Sequence, residues 1–159
     1  MRTARQNLPQ ALSTSEKFSI LLVSPHAEDE AVLRSMLPSA NSAFFCSNGM
    51  EQAMPQICDI QPAVVICERD LPDGSWKAIL GTCEGLAQPP IVLVISRNAD
   101  ENLWAEVLNL GGYDVIMKPF DRMEVTRVLG SSLRHWASSK ERQQVSSAQA
   151  STSLTAQFA

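Results

Sequence analysis

Five short apolar segments alternate along this chain with segments whose apolar residues recur at helical spacing. The apolar segments lie at 18–23, 43–46, 63–67, 90–95 and 113–117. Residues 20–23 and 91–95 show no alternation of polar and apolar side chains, which is typical of strands buried on both faces. Five strands that alternate with helices predict right-handed crossovers and a parallel sheet covered by helices on both sides. The chain is therefore predicted to be an α/β protein with a doubly wound sheet.

The segments between the strands predict five helices, because their apolar residues recur three and four positions apart. These helical segments fall within 27–37, 50–58, 76–83, 103–110 and 121–136. Ser75 and Asp121 precede two of them and are predicted to cap the helices that begin there. Five strand–helix units are too few for a closed barrel of eight.

The two ends of the chain lack the periodicity of its centre. Residues 1–16 are polar and unpatterned, and residues 138–159 are rich in serine, alanine and glutamine. Such segments bury too little apolar surface to fold by themselves, so both are predicted to be disordered tails. The 159 residues thus predict one domain at 17–137, with no output domain after it.

The charge balance argues against two classes of partner. The 13 basic residues are outnumbered by 17 acidic ones, and a net charge of -4 does not attract nucleic acid or an anionic membrane surface. The sequence has no leader-like apolar segment and no run of the roughly 18 apolar residues that span a bilayer. We therefore expect a cytoplasmic protein whose partners are other proteins.

The cysteines do not form a metal-binding pattern. The chain has four, without a C-x-x-C pair, and only two histidines, His26 and His135, that could complete a metal site. We predict four free, buried thiols, as is usual in a reducing compartment. No metal and no cofactor is expected.

Polar side chains follow four of the five predicted strands. Ser24, Pro25 and His26 come after the first strand, Glu68 ends the third, Ser96 ends the fourth and Lys118 ends the fifth. Because the carboxyl ends of parallel strands meet at one edge of the sheet, these residues are predicted to face one crevice. A carboxylate, a hydroxyl and an ammonium together are typical of a site that handles phosphate.

The motifs at these strand ends resemble the receiver domain of two-component response regulators. They are Glu-Arg-Asp-Leu-Pro-Asp-Gly at 68–74, Ser96, Lys-Pro-Phe at 118–120, Asn-Gly-Met-Glu-Gln-Ala at 48–53 and Gly-Gly-Tyr-Asp at 111–114. The order and spacing agree over residues 17–137. The resemblance implies a flavodoxin-like (CheY-like) fold, with a five-stranded sheet in the order 2-1-3-4-5. It also implies phosphorelay signalling, in which an Asp ending the third strand accepts a phosphoryl group.

The chain departs from the family pattern where the phosphoryl chemistry takes place. Glu68 stands at the phosphoacceptor position, and Ser24 and Pro25 replace the acidic pair that holds Mg²⁺ in the family. Mg²⁺ is normally bound through one or two carboxylates, which Ser24 and Pro25 do not supply. Glu28, Asp29 and Glu30 follow closely, but they fall in the first helix and are expected to point into solvent. Mg²⁺ binding is therefore expected to be weak or absent.

Two interpretations of Glu68 remain open. Its extra methylene places the carboxylate further out, so it can imitate a phosphorylated Asp by engaging Ser96 and Lys118 permanently. Alternatively, Glu68 only forms an ion pair with Lys118 in a degenerate pocket. Arg97 can pair with Glu68 or Asp70, cover the pocket, or point into solvent.

The remaining candidate residues have structural as well as functional interpretations. Asp70 and Asp73 are candidate phosphoacceptors, although turn formation at Asp73-Gly74 explains them better. His26 is expected to be solvated. Trp76 is expected in the core, whereas Trp104 is either core or an interface anchor. In receivers the switch aromatic lies three residues before the Lys, where this chain has Val115, a further position on the surface that receivers use for partners.

The leading hypothesis is a stand-alone, atypical receiver (a pseudo-receiver) that acts by binding proteins and not as an enzyme. Its partner is a histidine kinase or another signalling protein, or a second copy bound through the fourth helix, fifth strand and fifth helix. The alternative is a phosphorylatable single-domain response regulator that uses a non-standard acceptor such as Asp70. A flavodoxin-like FMN carrier is more remote, because residues 24–29 contain two acids and no glycine.

Overall fold

The computed structural model describes residues 17–37 and 41–157, with side chains described as far as residue 152. The elements in chain order are β1 (Phe18–Val23), α1 (Ala27–Met36), β2 (Ser42–Ser47), α2 (Met50–Ile60), β3 (Val64–Glu68), β4 (Asp70–Leu71), β5 (Gly74–Ser75), α3 (Trp76–Glu84), β6 (Ile91–Ser96), α4 (Glu101–Leu110), β7 (Asp114–Met117) and α5 (Arg122–Gln157). The predicted tail at 1–16 lies outside the described residues.

The five long strands form one parallel sheet in the order β2-β1-β3-β6-β7. Counting the long strands alone, this order is 2-1-3-4-5, so the predicted topology is confirmed. The short strands β4 and β5 form a separate antiparallel hairpin. In the main sheet Val23 lies beside Cys67, Glu68 beside Ile95 and Ser96 beside Met117. The carboxyl ends of the strands are therefore nearly level, which brings the loops that follow them together.

Two hydrophobic layers cover the sheet. One packs α2, α3 and α4 against it, and the other packs α1 and α5 against the opposite face. The central strands β1, β3 and β6 contribute to both layers, because successive side chains of a strand point to opposite faces. Trp76 belongs to the first layer and is buried, as predicted. With both faces of the sheet covered, the polar residues Ser24, Glu68 and Ser96 lie at or directly after the carboxyl ends of β1, β3 and β6.

Of the two helix caps predicted from the sequence, one forms its side-chain hydrogen bond and the other does not. Ser75 occupies the N-cap position of α3, but its side chain makes no capping hydrogen bond. Asp121 does cap α5, because its Oδ1 accepts a hydrogen bond from the Met123 N–H at 2.8 Å. Asp100 caps α4 by accepting from the Leu103 N–H at 2.8 Å. The apolar segment of α4 begins only at Leu103, so the sequence analysis placed the start of that helix too late.

The fifth helix continues to Gln157, through a segment that was predicted to be a disordered tail from residue 138. The prediction rested on polarity, which disordered chains and solvent-exposed helices share. Residues after Gly130 include no further glycine or proline, and many are alanine, glutamine, glutamate, lysine or arginine, which favour helix. Residues 141–152 are exposed. In the described part of the chain, no helix is both long and apolar enough to cross a membrane.

Only two of the four cysteines are buried as predicted. Cys67 and Cys83 lie in the core layer under α2 and α3, whereas Cys58 is exposed and Cys46 is half-buried. Cys58 and Cys46 lie on α2 and on the edge strand β2, where one side of each element faces solvent. Burial raises the pKa of Cys83 to about 12, so this thiol stays protonated at neutral pH.

Candidate functional site

The predicted strand-end residues meet in one pocket, and most of them are buried. Ser24, Glu68, Ser96 and Lys118 each expose less than a tenth of their surface. A charged side chain is seldom so well buried unless an opposite charge or several hydrogen bonds compensate it. The partners of Lys118 therefore determine what this pocket can do.

The ammonium group of Lys118 binds two carboxylates. It donates a hydrogen bond to Asp29 Oδ2 at 2.9 Å and another to Glu68 Oε2. The Lys118 and Asp29 side chains are each 5% exposed, and that of Glu68 is 10% exposed. We call Asp29, Glu68 and Lys118 the ion triad. It joins the first turn of α1 to the ends of β3 and β7.

The inward position of Asp29 corrects the sequence prediction, which placed Glu28, Asp29 and Glu30 in solvent. The Ser24 hydroxyl donates a hydrogen bond to Asp29 Oδ2 at 2.7 Å, so a serine at the end of β1 holds the carboxylate inside. Glu28 is exposed, as predicted, and Glu30 pairs with Arg34 along the outer face of α1. One signal was present in the sequence: Asp29 lies four residues before Leu33, which puts the two side chains on the same helix face.

The hydroxyl of Ser24 has a second role in this arrangement. Its oxygen accepts a hydrogen bond from the His26 N–H at 3.1 Å, at the start of α1. The His26 side chain itself is exposed, and Pro25 is half-buried beside it. Ser24 therefore fixes both the entry of the chain into α1 and the carboxylate of Asp29. Ser24 positions other groups and carries no charge itself, so no sequence pattern indicated this role.

Ser96 lies next to the ion triad but does not bind Glu68. Its hydroxyl oxygen accepts a hydrogen bond from the Asn98 N–H at 3.1 Å. Its backbone carbonyl accepts from the Lys118 N–H at 2.9 Å, which keeps the end of β6 beside the end of β7. A Glu68 that imitates a phosphorylated Asp is expected to contact both Ser96 and Lys118. The described hydrogen bonds of Glu68 include the one to Lys118 and not one to Ser96.

Arg97 stands outside the pocket. Its guanidinium is 4.0 Å from Glu28 Oε2, and both side chains are at least three-quarters exposed. Among the described ion pairs Arg97 contacts Glu28 and neither Glu68 nor Asp70, and its side chain is exposed to solvent. Asp70 is exposed on β4, where it pairs with Ser75 of β5, and it is not part of the ion triad.

Asp73 does more than form the turn that the sequence predicted. Its carboxylate accepts hydrogen bonds from the N–H groups of Met50 at 2.8 Å and of Glu51 at 2.9 Å, so it caps α2 from 22 residues away. These bonds, first from Glu51 and then from Met50, lower the pKa of Asp73. A Cβ atom on Gly49 would lie 2.7 Å from Asp73 Oδ1, which explains why a glycine precedes the helix. The contact fixes the loop that follows Glu68.

A second candidate region lies on α4, β7 and the start of α5. Trp104 is 49% exposed, and its indole N–H donates to Asp114 Oδ1 at 3.2 Å. Leu108, Met117 and Met123 are exposed large apolar side chains on the same three elements. We call Trp104, Leu108, Met117 and Met123 the α4–β7–α5 patch. The structure thus decides between the two interpretations of Trp104 in favour of the surface.

Val115 does not belong to this patch, although the sequence analysis placed it on the partner surface. Its side chain is 5% exposed and packs in the core layer with α4. Val115 and Met117 are two residues apart on β7 and therefore point to the same face of the sheet. Val115 belongs to the core layer that includes residues of α4, whereas Met117, the last residue of the strand, is 52% exposed. A partner cannot contact Val115 without displacing α4.

The donor set of the pocket does not fit a divalent cation. Mg²⁺ requires near-octahedral oxygen ligands and usually retains several waters. Here the two carboxylates already share the ammonium of Lys118, which a metal ion would have to displace. No group of three or more potential metal ligands occurs among residues 17–37 and 41–157.

Comparisons with known proteins agree with the fold and with the motifs. No protein-family model matches the chain. It is 25% identical over 124 residues to the protein-glutamate methylesterase/protein-glutamine glutaminase 1 of Myxococcus xanthus (strain DK1622), covering 74% of this chain and 35% of that protein. It is 27% identical over 119 residues to the regulatory protein AtoC of Escherichia coli (strain K12), covering 72% of this chain and 26% of that protein. The chain spans about a third or less of the length of these relatives.

A solved structure gives the fold comparison. The signal receiver domain of an HD domain-containing protein from Pseudomonas fluorescens Pf-5 superimposes with a TM-score of 0.74 at 22% identity, covering 84% of this chain and 98% of that one. The chain therefore has the fold of a response-regulator receiver domain. The resemblance drawn from the motifs is confirmed.

Proposed function

Because this chain has the receiver fold and resembles response regulators, we propose that it is a signalling module that acts by protein binding without phosphoryl transfer to Glu68. One observation carries the proposal: the Lys118 ammonium is buried and bound to both Glu68 and Asp29. In phosphoryl transfer, cations must neutralise the charge on the incoming phosphoryl oxygens. Here the single buried cation of the pocket is already neutralised by the protein's own carboxylates.

The same contacts make the pocket a poor magnesium site. Asp29 is the buried carboxylate of the first turn of α1, and its Oδ2 already accepts hydrogen bonds from Ser24 and Lys118. We therefore propose that no resident cofactor is needed and that Mg²⁺ binds weakly or not at all. An isothermal titration with MgCl₂ checks this, and a saturable heat that is lost in Asp29→Asn would contradict it.

Incubation with acetyl phosphate and Mg²⁺, followed by intact mass measurement, tests the proposal directly. We expect no added phosphoryl mass on the wild-type chain. The alternative is a phosphorylatable regulator that uses Asp70, and exposure of Asp70 on β4 favours this as the second candidate. An added mass that disappears in Asp70→Asn but persists in Glu68→Gln would replace the proposal with that alternative.

Glu68 either holds the module in one signalling state or only neutralises Lys118. The contact with Lys118 supports both, whereas the lack of a described Ser96 contact favours simple neutralisation. Glu68→Gln retains the shape of the side chain without its charge, and Glu68→Ala removes both. If Glu68 imitates a phosphorylated Asp, partner affinity falls in both variants. Equal affinity in wild type and both variants supports the ion pair alone.

We propose the α4–β7–α5 patch as the partner surface. It presents an exposed tryptophan and three exposed apolar side chains, the composition that interface anchors favour. The partner is a signalling protein such as a histidine kinase, or a second copy of this chain. Capture of a binding protein should fail with Trp104→Ala and persist with Phe45→Ala, a matched exposed aromatic on β2 at the opposite edge of the sheet. Equal loss in both variants would place the interface elsewhere.

A further inference from the structure

We propose that Ser24 and Asp29 form a fixed anchor for the Lys118 ammonium, which keeps phosphate-like oxyanions out of this pocket even when Glu68 is neutral. The inference deepens the proposed function, because it assigns the closed state of the pocket to Asp29 instead of Glu68. It concerns a residue pair from the loop after β1 and the first turn of α1, neither of which is at the phosphoacceptor position.

The two carboxylates of the ion triad are held differently. Asp29 Oδ2 accepts hydrogen bonds from both Ser24 and Lys118, at 2.7 and 2.9 Å. Ser24 is itself tied to the backbone at His26, so the anchor has a continuous set of contacts to the start of α1. The described side-chain hydrogen bonds of Glu68 comprise the one to Lys118. Asp29 is therefore the rigid member of the triad, and Glu68 is the replaceable one.

Charge explains why the anchor excludes oxyanions. Two carboxylates and one ammonium leave the ion triad with a net charge of -1, in surroundings where water screens poorly. Neutralising Glu68 gives a neutral Asp29–Lys118 pair, which still offers no free positive charge. With Glu68 neutral, only the loss of the Asp29 charge, or the release of Asp29 from Ser24, leaves the ammonium unpaired. An oxyanion such as phosphate can then replace the carboxylates as the partner of the ammonium, through charge-assisted hydrogen bonds.

Titration of inorganic phosphate into ¹⁵N-labelled protein, followed at the amides of Ser96 and Lys118, tests the inference. We expect no saturable shift in the wild type or in Glu68→Gln. In Asp29→Asn/Glu68→Gln we expect a saturable shift and a rise in unfolding temperature with added phosphate. The matched control is Glu28→Gln/Glu68→Gln, which removes an exposed carboxylate from the same helical turn and should behave like Glu68→Gln.

Three results would overturn the inference. They are saturable phosphate binding by Glu68→Gln alone, saturable binding by the Glu28 control, or no binding by the folded Asp29→Asn/Glu68→Gln variant. If that double variant does not fold, Ser24→Ala/Glu68→Gln decides, since it frees Asp29 without deleting its charge. Saturable binding by this second variant supports the anchor, and its absence contradicts it. None of these readouts involves a partner, so failure here is distinct from failure of the proposed protein-binding function.

Discussion

At the scale of single residues, the unusual group is a lysine buried among carboxylates. Lys118 exposes only 7% of its surface, so water solvates its ammonium far less than that of an exposed lysine. Replacing a buried ion pair with apolar groups is often neutral, whereas removing one partner alone is costly. The ion triad is therefore better understood as a constraint on the pocket than as a source of stability.

Lys118→Met should be strongly destabilising, because it leaves Asp29 and Glu68 buried without a counter-ion. We expect a loss of about 3–5 kcal/mol in the free energy of unfolding, measured by urea denaturation. The triple variant Asp29→Asn/Glu68→Gln/Lys118→Met removes all three charges and should recover most of that loss. A Lys118→Met variant as stable as the wild type would show that the three charges are solvated.

Asp73→Asn should make the free energy of unfolding depend less on pH in the acidic range. The pKa of Asp73 in the folded protein is below its ordinary value of 3.8, because the N–H groups of Glu51 and Met50 bind the charged form. The stabilisation is therefore complete above the unfolded-state pKa and is lost as the pH falls through the folded-state pKa.

The measurement for Asp73 is the difference in unfolding midpoint between wild type and Asp73→Asn across pH. We expect the wild type to be more stable at pH 6 and the difference to shrink below about pH 4. Asp70→Asn, an exposed neighbour outside this cap, serves as the control. A difference that stays constant from pH 6 to pH 3 would mean that the cap does not depend on the charge of Asp73.

At the scale of secondary-structure elements, the junctions between helices and strands determine which side chains reach the pocket. α4 ends at Leu110, and its C-cap residue Gly111 has a left-handed φ of 105°, a conformation that glycine adopts without strain. The next residue, Gly112, packs directly on Val107, since a Cβ atom there would lie 2.4 Å from Val107 Cγ1. This close approach sets the start of β7 at Asp114 and thereby the position of Lys118, four residues further on.

Gly112→Ala should therefore destabilise the α4–β7 junction. Overpacking of this kind typically costs about 1–3 kcal/mol, which urea denaturation measures. Gly81→Ala is the control, because no atom lies within 4 Å of the Cβ position at this helical glycine, and alanine favours helix. Gly112→Ala with unchanged stability would show that the contact with Val107 relaxes freely.

The extension of α5 should be separable from the domain. Residues 141–152 are exposed, so removing residues 142–159 deletes helix without uncovering the described core. We expect the free energy of unfolding to change by less than about 0.5 kcal/mol, as is usual for surface changes. Far-UV circular dichroism should lose the helical signal of the removed residues. A stability loss above about 2 kcal/mol would mean that the extension packs on the domain.

At the scale of the whole molecule, the sheet has two different edges. β7 lies beside the α4–β7–α5 patch, and β2 forms the opposite edge with Phe45 partly exposed. The pocket connects to the patch through β7, since Lys118 follows Met117 directly. The pocket and the patch therefore adjoin at the end of β7.

If a second copy binds through the α4–β7–α5 patch, self-association should depend on Trp104. We expect Trp104→Ala to raise the dimer dissociation constant at least tenfold in analytical ultracentrifugation. Loss of an interface anchor that contributes about 1.4 kcal/mol or more to binding has this effect. Phe45→Ala should leave dimerisation unchanged. Dimers that persist equally in both variants would exclude this patch as the contact between copies.

The sheet order was implied by the resemblance of the motifs to receiver domains, whereas the sequence alone determined the five strand–helix units and the convergence of Glu68, Ser96 and Lys118. These depend on periodicity and on the geometry of parallel strands, which act over neighbouring residues. Only the tertiary structure decided that Asp29 turns inward, that Asp73 caps α2 and that Trp104 is exposed while Val115 is not. Each of these depends on a partner brought close by folding from elsewhere in the chain, such as Lys118 for Asp29. No local pattern encodes that distance.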